Sequence, residues 1–422
     1  MGRRRGSKRT KASSAAGDRI TGLPLELRAR IASFLHYGQV VQLSALSRPW
    51  RDIHHHTPVV EIDLSKFLLD DDSGLLDEDS IHSACATLGR RAQDVSASKV
   101  DTLRLAYATD NVRMRHHADR IVALADAREI HLDADQASDD DHAWTLHLHP
   151  VARLLMLYAA QGHEVQDALM VHLPPAARRL MLNAAHQFVS VDGPGAAALR
   201  ELNLRRVVLR EWSHLPSLRS LNLESVTVEA PFAPGQWCPL LEELDIIFCK
   251  IEQARVDICL PHLRFLGMAS VDVSPQGQHD GPPFGHITVH APEMEELSIW
   301  AAGERMKDFK SFMLRAPKLQ LLSWNNQFVE RVHIDVGRPG SVEVGKIEFT
   351  SVYFGKIKKY WEQMVQMLQG LLPNVPPESV ADIVRPYMTP EECPEAPDSD
   401  SDDHTVEKML SCDLTALMWP DI

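Results

Sequence analysis

The sequence lacks the features that place a chain in a membrane or outside the cell. Its 422 residues contain no uninterrupted apolar run of the roughly 18 to 20 residues that a spanning helix needs. The N-terminus has no apolar signal region, and the six cysteines are widely spaced, with no CxxC pair. We therefore expect reduced thiols, no membrane partner, and a location in the nucleus, the cytoplasm or both.

The chain also lacks the short motifs of phosphate-binding loops, nucleophile elbows, zinc proteases and dinucleotide-binding folds. The consecutive His54, His55 and His56 cannot converge well on one ion. The acids from Asp133 onward lack the central Gly of a calcium loop, and Trp144 stands where its closing Glu is needed. We predict a non-catalytic protein with no cofactor and no metal site.

Basic residues are scarce outside the first eleven positions. Residues 3–11 hold six Arg or Lys and no acid, which leaves 38 bases against 58 acids in the rest of the chain. An acidic body of this kind does not attract phosphates, so no nucleic acid partner is expected. The basic arm itself has two interpretations, a nuclear address or a disordered solubilising leader.

Composition divides the chain into segments of different character. In order, we predict a disordered basic arm (1–17), a helical module (18–53), a repeat array (57–355), a C-terminal helical cap (356–385), an acidic disordered linker (386–407) and an apolar tail (408–422). The tail has two interpretations, because it either docks on the end of the array or serves as a short partner motif.

The helical module has the periodicity of short amphipathic helices. Pro24 suits the first turn of a helix, and Gly38 suits its end. Between them four apolar residues form one stripe at i, i+4, i+7 and i+8, namely Leu27, Ile31, Phe34 and Leu35. A second short helix is predicted with the apolar face Val40, Leu43 and Leu46. So small a module buries its own apolar surface poorly, and we expect it to pack against the array or another protein.

The apolar spacing of this module is similar to the F-box signature. The matching positions are Leu23-Pro24, Leu27, Ile31, Phe34-Leu35, Leu43, Leu46-Ser47 and Trp50-Arg51. The resemblance implies a helical surface that binds the SKP-type adaptor of a cullin ubiquitin ligase. It assigns the adaptor contact to Leu23, Pro24, Leu27, Ile31, Leu35, Leu43, Leu46 and Trp50. Some of these residues must hold the module together, and the sequence does not separate the two groups.

A second pattern recurs through the array: a Pro or small residue, then apolar residues at +2, +5 and +7. Ten copies begin at Ser98, Ala125, Pro150, Pro175, Ala197, Pro216, Pro239, Pro261, Pro292 and Pro317. Nine steps between positions 98 and 317 give a mean period of about 24 residues. Weaker copies are predicted at Thr57 (Val59, Ile62, Leu64) and Val342 (Val344, Ile347, Phe349). This period and spacing resemble the leucine-rich repeat.

In such a repeat the residues at +5 and +7 point inward from a short strand, and neighbouring strands pair in parallel. The expected fold is α/β, a small N-terminal helical F-box followed by a leucine-rich-repeat solenoid with its parallel sheet on the concave side. The Asn or Cys that usually follows the strand is mostly missing, with Cys249 and Asn325 as partial substitutes. This departure leaves the convex side open between helix and loop, and it resembles the irregular repeats of plant F-box proteins.

The same register places the residues at +4, +6 and +8 on the concave surface. Seven acids occupy these positions, Glu129, Asp133, Glu201, Glu224, Glu243, Asp245 and Glu296, against three bases, Arg104, Arg179 and Arg205. This balance favours a basic or neutral target. The predicted substrate contacts are Tyr158, Glu243, Asp245, Phe265, Trp300 and Asn325. Trp300 has two interpretations, an exposed anchor for a partner or a half-buried packing residue.

The sequence thus predicts a substrate-recognition subunit of an SCF-type ubiquitin ligase, in which the helical module binds the SKP adaptor, and through it a cullin, while the array holds a target protein. Two alternatives remain open. One is a small-molecule sensor, because the solenoids of plant hormone receptors resemble this architecture, although no basic cluster for an anionic ligand is visible. The other is a repeat scaffold without a ligase role.

Overall fold

The computed structural model describes most of the chain between residues 20 and 372 and a short strand near the C-terminus. The described residues are 20–69, 75–108, 111–135, 144–159, 168–185, 187–275, 285–301, 308–337, 342–349, 357–372, 376, 379 and 410–413. The predicted disorder of the basic arm (1–17) and of the acidic linker (386–407) lies outside these residues.

Short helices precede a long series of strands. The helices are α1 (Leu25–Ala32), α2 (Tyr37–Leu46), α3 (Ile53–His56), α4 (Glu78–Gln93), α5 (Val112–Leu124), α6 (Pro234–Trp237) and α7 (Ile357–Leu371), with 3-10 turns at Arg48–Trp50, Leu64–Phe67 and Ala196–Ala198. The strands are β1 (Val59–Asp63), β2 (Thr102–Ala108), β3 (Glu129–Asp135), β4 (Trp144–His147), β5 (Leu154–Ala159), β6 (Ala168–His172), β7 (Arg179–Ala184), β8 (Phe188–Asp192), β9 (Glu201–Arg205), β10 (Val208–Leu209), β11 (Ser220–Glu224), β12 (Thr227–Val228), β13 (Glu243–Ile247), β14 (Lys250–Ile251), β15 (Arg255–Cys259), β16 (Phe265–Ala269), β17 (Asp272–Val273), β18 (His286–His290), β19 (Glu296–Trp300), β20 (Phe309–Arg315), β21 (Leu321–Asn325), β22 (Val329–Asp335), β23 (Val344–Phe349) and β24 (Leu410–Asp413).

The strands join into sheets whose order follows the chain. Within the described residues these sheets have thirteen, seven and four strands. The orders are β1-β2-β3-β5-β7-β9-β11-β13-β16-β19-β21-β23-β24, β17-β14-β12-β10-β8-β6-β4, and β15-β18-β20-β22. All pairs are parallel except β23 with β24, which is antiparallel. Because each strand pairs with its equivalent from the coil before, the chain advances in a solenoid-like manner, and the predicted α/β class with a parallel sheet is confirmed.

The repeat register places two side chains of every copy in the core. The buried residues at +5 and +7 of the ten copies are Leu103, Leu105, Ile130, Leu132, Leu155, Leu157, Leu180, Leu182, Leu202, Leu204, Leu221, Leu223, Leu244, Ile246, Leu266, Met268, Leu297, Ile299, Leu322 and Trp324. Side chains alternate across a strand, so the residues at +4, +6 and +8 lie on the opposite face of the thirteen-stranded sheet. We call that face the open face.

The two weaker copies are displaced by two residues from their predicted register. Val60 pairs with Leu103, at +5 of the next copy, so Val60 and not Ile62 is the +5 residue of the first strand. At the other end Gly345 pairs with Leu322, which makes Gly345 the +5 residue where Ile347 was predicted. A shift of two residues keeps the same side chains on the same face, which is why the pattern alone did not exclude it.

The helix boundaries of the N-terminal module also differ from the prediction. The first helix ends at Ala32, before the last two residues of its predicted stripe, and Pro24 is its N-cap. Gly38 does not end α1 but lies in the first turn of α2. Its backbone has no positive φ, so it does not adopt the left-handed conformation of a glycine cap.

Strands of the thirteen-stranded sheet end at a recurring corner of the backbone. Among the described copies, the residue at +9 has a positive φ in Arg206 (53°), Ser225 (54°), Phe248 (53°), Ser270 (54°) and Asn326 (59°). This conformation is uncommon for residues other than glycine, so its recurrence marks a fixed feature of the coil. After four of these corners the chain enters the seven-stranded sheet through two-residue strands, β10, β12, β14 and β17, and after Asn326 it enters β22 of the four-stranded sheet. The side that the sequence left open between helix and loop is therefore a second sheet in these coils.

Cys249 links neighbouring coils through its thiol. Its Sγ donates to the carbonyl oxygen of Leu223 at 3.2 Å and accepts from the backbone N–H of Val226 at 3.5 Å. Burial raises the pKa of the Cys249 thiol to about 12, so the group stays a neutral donor. Asn325 makes no such link, because its amide nitrogen donates within its own strand, to Ser323 Oγ at 3.1 Å. Of the two residues, Cys249 thus forms hydrogen bonds to the neighbouring coil, and the hydrogen bond of Asn325 stays within its own strand.

The C-terminal part of the described chain closes the last coils. The helix within the predicted cap, α7, packs along β22, the edge strand of the four-stranded sheet. The strand β24, within the predicted apolar tail, pairs with β23 at the end of the thirteen-stranded sheet. Of the two interpretations of the tail, the structure shows docking on the array for residues 410–413.

A buried arginine joins the helical module to the solenoid. Arg91 on α4 is only 3 % exposed, and its guanidinium donates to the backbone carbonyls of His54 (2.9 Å), Thr57 (2.6 Å) and Ser98 (3.0 Å). These carbonyls belong to α3, to the residue after it and to the segment before β2. One side chain thus satisfies three backbone acceptors at the junction.

We expect Arg91→Met to lower the free energy of unfolding by about 3 kcal/mol, because it removes the charged donor and leaves buried carbonyls unsatisfied. The measurement is urea denaturation of the full chain. The matched control is Arg90→Met, since Arg90 is exposed and donates within its own helix, to Ala86 O at 3.3 Å. Equal stability of the two variants would show that the junction does not depend on Arg91.

Candidate functional site

The helices α1 to α3 pack around a small core of their own. Its buried residues are Ala29, Ala32, Val40, Trp50 and Ile53, with Leu25 and Leu43 packed against them. This cluster is separate from the continuous core of the solenoid. Arg28 also donates to the carbonyl of Pro49, which ties α1 to the turn before α3. Because the module has its own interior, its remaining apolar side chains are available for other contacts.

Five large apolar side chains between residues 25 and 46 face solvent. They are Leu27 (48 % exposed), Ile31 (42 %), Phe34 (86 %), Leu35 (38 %) and Leu46 (85 %), and we call them the module surface. Leu27 and Ile31 stand four residues apart on α1 and therefore share one helix face. Phe34 and Leu35 follow directly after the helix. So many exposed apolar groups in so short a segment are typical of a protein-interaction site.

The structure divides the predicted adaptor residues into two groups. Leu27, Ile31, Leu35 and Leu46 belong to the module surface, and Pro24 is exposed at the start of α1. Trp50, Leu43 and Leu23 are buried or half-buried. Trp50 is 7 % exposed and lies in the module core, so it is one of the matched residues that hold the module together. Phe34, which was matched but not assigned to the contact, is the most exposed member of the module surface.

A cavity of about 580 Å³ lies where the module meets the solenoid. Its lining includes His36, Tyr37, Glu61, Asp63 and Lys66 from α2, β1 and the turn that follows. The two basic side chains already have acidic partners, because His36 Nδ1 lies 2.9 Å from Glu61 and Lys66 Nζ lies 3.4 Å from Asp63. The cavity therefore does not present the free basic cluster that an anionic small molecule requires.

The predicted substrate contacts all lie on the open face. Tyr158 (48 % exposed) and Trp300 (40 %) are exposed, as is Glu243, while Asp245, Phe265 and Asn325 are half-buried. Five of these six side chains stand on strands β13, β16, β19 and β21, which are neighbours in the sheet. Tyr158 stands on β5, four strands before β13 in the sheet order. The structure therefore brings the set together except for Tyr158.

Several charges of the open face neutralise one another. Arg205 pairs with Glu224 at 2.8 Å, and Arg179 lies 3.7 Å from Glu129 and 4.0 Å from Glu201. Exposed pairs such as these contribute little to stability, but they reduce the charge that a partner meets. The negative charge that remains for a partner is therefore concentrated elsewhere on the sheet.

Three acids of the open face that form no ion pair lie close together, on the strands β13 and β19. In the part of the chain that the structure describes, Glu243, Asp245 and Glu296 have no ion-pair partner. The register places Glu243 and Glu296 on either side of Phe265, on β13 and β19 with β16 between them. An aromatic residue thus stands between two acids in the register, an arrangement suited to a cationic side chain.

Gly267 makes room for the third acid. A Cβ at position 267 would lie 2.3 Å from Asp245 Oδ1 and 3.1 Å from Phe265 Cζ. The carboxylate and the ring therefore converge over the backbone of this glycine. Partial burial raises the pKa of the Asp245 carboxyl above its usual range. The site thus holds a carboxylate that lacks full hydration and gains from a cationic partner.

Two aromatic side chains meet at the other end of the same strands. The rings of Phe248 and Trp300 have centroids 6.3 Å apart and are inclined at 72°, an edge-to-face contact. Phe248 is 52 % exposed and occupies the left-handed corner at +9, with a φ of 53°. The small Ala269 lies between Ile247 and Trp300 in the register. Trp300 therefore packs against Phe248 while remaining 40 % exposed, and its role as an anchor for a partner stays a prediction.

Sequence reasoning missed Phe248. The predicted contact positions were +4, +6 and +8, whereas Phe248 stands at +9, where strand alternation alone would turn the side chain inward. The left-handed backbone at this corner breaks the alternation and leaves the ring exposed. The signal in the sequence was the Phe itself, at a position that carries a polar residue in the four other coils with this corner.

In the described residues no helix is long and apolar enough to cross a membrane, and no group of three His, Cys, Asp or Glu side chains is arranged to hold a metal ion. The chain matches no protein-family model, and the comparison with curated proteins gave no match.

Proposed function

We propose that this protein is the substrate-recognition subunit of an SCF-type cullin-RING ubiquitin ligase. In this proposal the helical module is an F-box that binds the SKP-type adaptor, and the solenoid is a leucine-rich-repeat array that binds the target. The protein itself carries out no chemistry. It acts by proximity, because it holds the lysines of the target near a charged ubiquitin carrier.

The separation of buried from exposed apolar residues in the module is the observation that supports the proposal most. Trp50, Ile53 and their neighbours supply an interior, and the module surface remains exposed beside it. A helical cap that only shielded the first coil would turn its large apolar side chains toward the solenoid. Phe34 and Leu46 instead are 86 % and 85 % exposed. Their exposure favours a second protein as the partner of the module.

The small-molecule sensor remains the alternative with the least support. The junction cavity offers no free basic cluster, and the open face is acidic at its unpaired positions. The scaffold alternative differs from the proposal only in adaptor binding. A direct measurement of that binding therefore decides between them.

The experiment is calorimetric titration of an SKP-type adaptor, bound to the N-terminal part of a cullin, into the full chain. We expect wild type to bind at micromolar or lower concentration and the double variant Leu27→Asp with Ile31→Asp to bind at least 100-fold more weakly, because each charge is placed in a desolvated apolar contact. The matched control is Leu240→Asp, which alters a leucine of similar exposure (42 %) on the solenoid.

Absence of wild-type binding at micromolar concentration would refute the ligase proposal and favour the scaffold. Equal loss in Leu240→Asp and in the double variant would show that the effect is one of net charge and not of the module surface. Loss confined to the double variant, with unchanged thermal stability, is the outcome that the proposal requires.

A further inference from the structure

The central part of the open face combines unpaired acids, a recessed glycine and exposed aromatic rings. At position +4, Phe265 stands between Glu243 and Glu296. Two residues further along the strands, at +6, Asp245 lies over Gly267. Trp300 at +8 and Phe248 at +9 form the end of the set. The acids have no ion-pair partners among the described residues. We call this set, from Glu243 to Trp300, the central patch.

The spacing within the central patch defines the length of chain that it fits. The rows +4 and +8 are four residues apart along a strand, roughly 13 Å at the usual rise of about 3.3 Å per residue. An extended peptide that runs along the strands covers that distance with a residue i and a residue i+4. Its residue i+2 also faces the sheet and lies over Asp245, whose carboxylate fills the space above Gly267.

Charge complementarity fixes the chemistry of the first contact. The backbones of β13 and β19 lie roughly 10 Å apart, on either side of β16. A guanidinium or ammonium group between them can contact the carboxylates of Glu243 and Glu296 while it stands over the ring of Phe265. A phosphate-bearing partner would instead be repelled by all three acids. The central patch thus favours a cationic peptide over a nucleic acid.

The aromatic pair fixes the chemistry of the second contact. Trp300 and Phe248 are 40 % and 52 % exposed, although both are large apolar groups. Phe248 also keeps an unfavourable left-handed backbone, which brings its ring beside Trp300. A large apolar or aromatic side chain that packs on this pair buries surface that is otherwise in water.

We propose that the central patch binds an extended basic segment of the target in which an arginine or lysine is followed, four residues later, by a large apolar residue. The inference rests on the proposed function for the source of the segment, since it names the class of target that the ligase receptor would select. The cation binds between Glu243 and Glu296, and the apolar residue packs on Phe248 and Trp300.

The test is a positional-scanning library of biotinylated decapeptides, read by capture on the purified full chain in 50 mM and in 300 mM NaCl. We expect selection of Arg or Lys at one position and of Phe, Trp, Leu or Met four positions later, with capture weaker at the higher salt. The absence of any positional preference, or a preference for Asp and Glu, would overturn the proposal.

Variants separate the two contacts. We expect Glu243→Gln with Glu296→Gln to reduce the preference for a cation at least tenfold and to keep the apolar preference. Trp300→Ala is expected to do the opposite. The matched control is Asp133→Asn, an exposed acid of the same face on β3. Unchanged selection by the double variant, or the same loss in Asp133→Asn, would contradict the assignment of the cation to the central patch.

The same protein preparations are used in the adaptor titration. Failure of the proposed function and failure of the peptide-binding proposal can therefore be told apart. Adaptor binding without peptide selection would overturn the central patch and leave the ligase proposal standing. Peptide selection without adaptor binding would leave the patch as a peptide-binding site on a scaffold. Both assays use the full chain, so a general folding defect would appear in both.

Discussion

Replacing Trp50 with alanine is expected to unfold the helical module locally while the solenoid stays folded. Truncation of a buried Trp to Ala typically costs about 3 to 5 kcal/mol, as lost burial and a cavity combine. The module core contains only five buried apolar residues, Trp50 included. A segment of this size has a small free energy of unfolding. A loss of this magnitude therefore exceeds the stability that its remaining contacts provide.

The measurement is native-state amide hydrogen exchange over residues 20–56, followed by mass spectrometry. We expect Trp50→Ala to lose protection in α1 and α2 and to retain it in the central strands of the thirteen-stranded sheet. The matched control is Phe34→Ala, in which an 86 % exposed ring is removed and stability should change by no more than about 0.5 kcal/mol. Full protection of α1 in the Trp50 variant would show that the module does not depend on its own core.

Trp50→Ala and Phe34→Ala also distinguish two causes of weaker adaptor binding, loss of the module structure and loss of a surface contact. Both should weaken adaptor binding under the proposed function, but only Trp50→Ala should do so by removing the structure. The sequence could not make this distinction, because Trp50 and Phe34 are both matched positions of one apolar pattern. A pattern records which residues are apolar, whereas the choice between interior and exterior depends on where α1, α2 and α3 meet.

The solenoid was more predictable than the module because its pattern is redundant. Ten copies of one spacing all placed apolar residues at the same two inward positions, and the structure buries every one of them. The prediction is less accurate at the two ends of the array, where the pattern is weaker. Val60 and Ile62 in the first strand and Leu64 directly after it stand at alternate positions and are all buried, so two registers fit equally well. At the last strand Gly345 has no side chain by which an inward position could be recognised.

The central patch was predictable in part for the same reason. Strand register alone assigned Glu243, Asp245, Phe265 and Trp300 to one face, and the structure places them on neighbouring strands. The strand register did not predict the left-handed corner that exposes Phe248, nor the ion pairs that neutralise Glu224 and its neighbours. Both depend on contacts between coils, which no single repeat encodes.

Introducing a methyl group at Gly370 is expected to destabilise the C-terminal coils although it should favour the helix that carries it. Alanine in a helix interior is normally better than glycine by about 0.5 to 1 kcal/mol. At position 370, however, a Cβ would lie 2.1 Å from the carbonyl oxygen of Ile334 on β22. Backbone cannot move away as a flexible side chain can, so α7 must shift. We expect Gly370→Ala to lower the free energy of unfolding by about 2 kcal/mol.

The cost is large because α7 protects a sheet edge. The strand β22 ends the four-stranded sheet, and two of its backbone N–H groups donate to side chains of α7. Val329 N donates to Gln363 Oε1 at 2.9 Å, and Val332 N donates to Gln366 Oε1 at 3.0 Å. A displaced helix would break these bonds and expose an unpaired edge, which is a site for association between chains. We therefore also expect Gly370→Ala to aggregate more readily on heating.

Gly38→Ala is the matched control, because Gly38 also lies in a helix and a Cβ there would meet nothing within 4 Å. Calorimetric or urea unfolding of both variants should give opposite signs, a gain of up to about 1 kcal/mol for position 38 and a loss for position 370. A gain at both positions would mean that α7 does not approach β22 closely in solution. Opposite signs would establish that α7 covers the edge strand β22 only because Gly370 has no side chain. They would also show that the end of the solenoid depends on α7 as much as on its own strands.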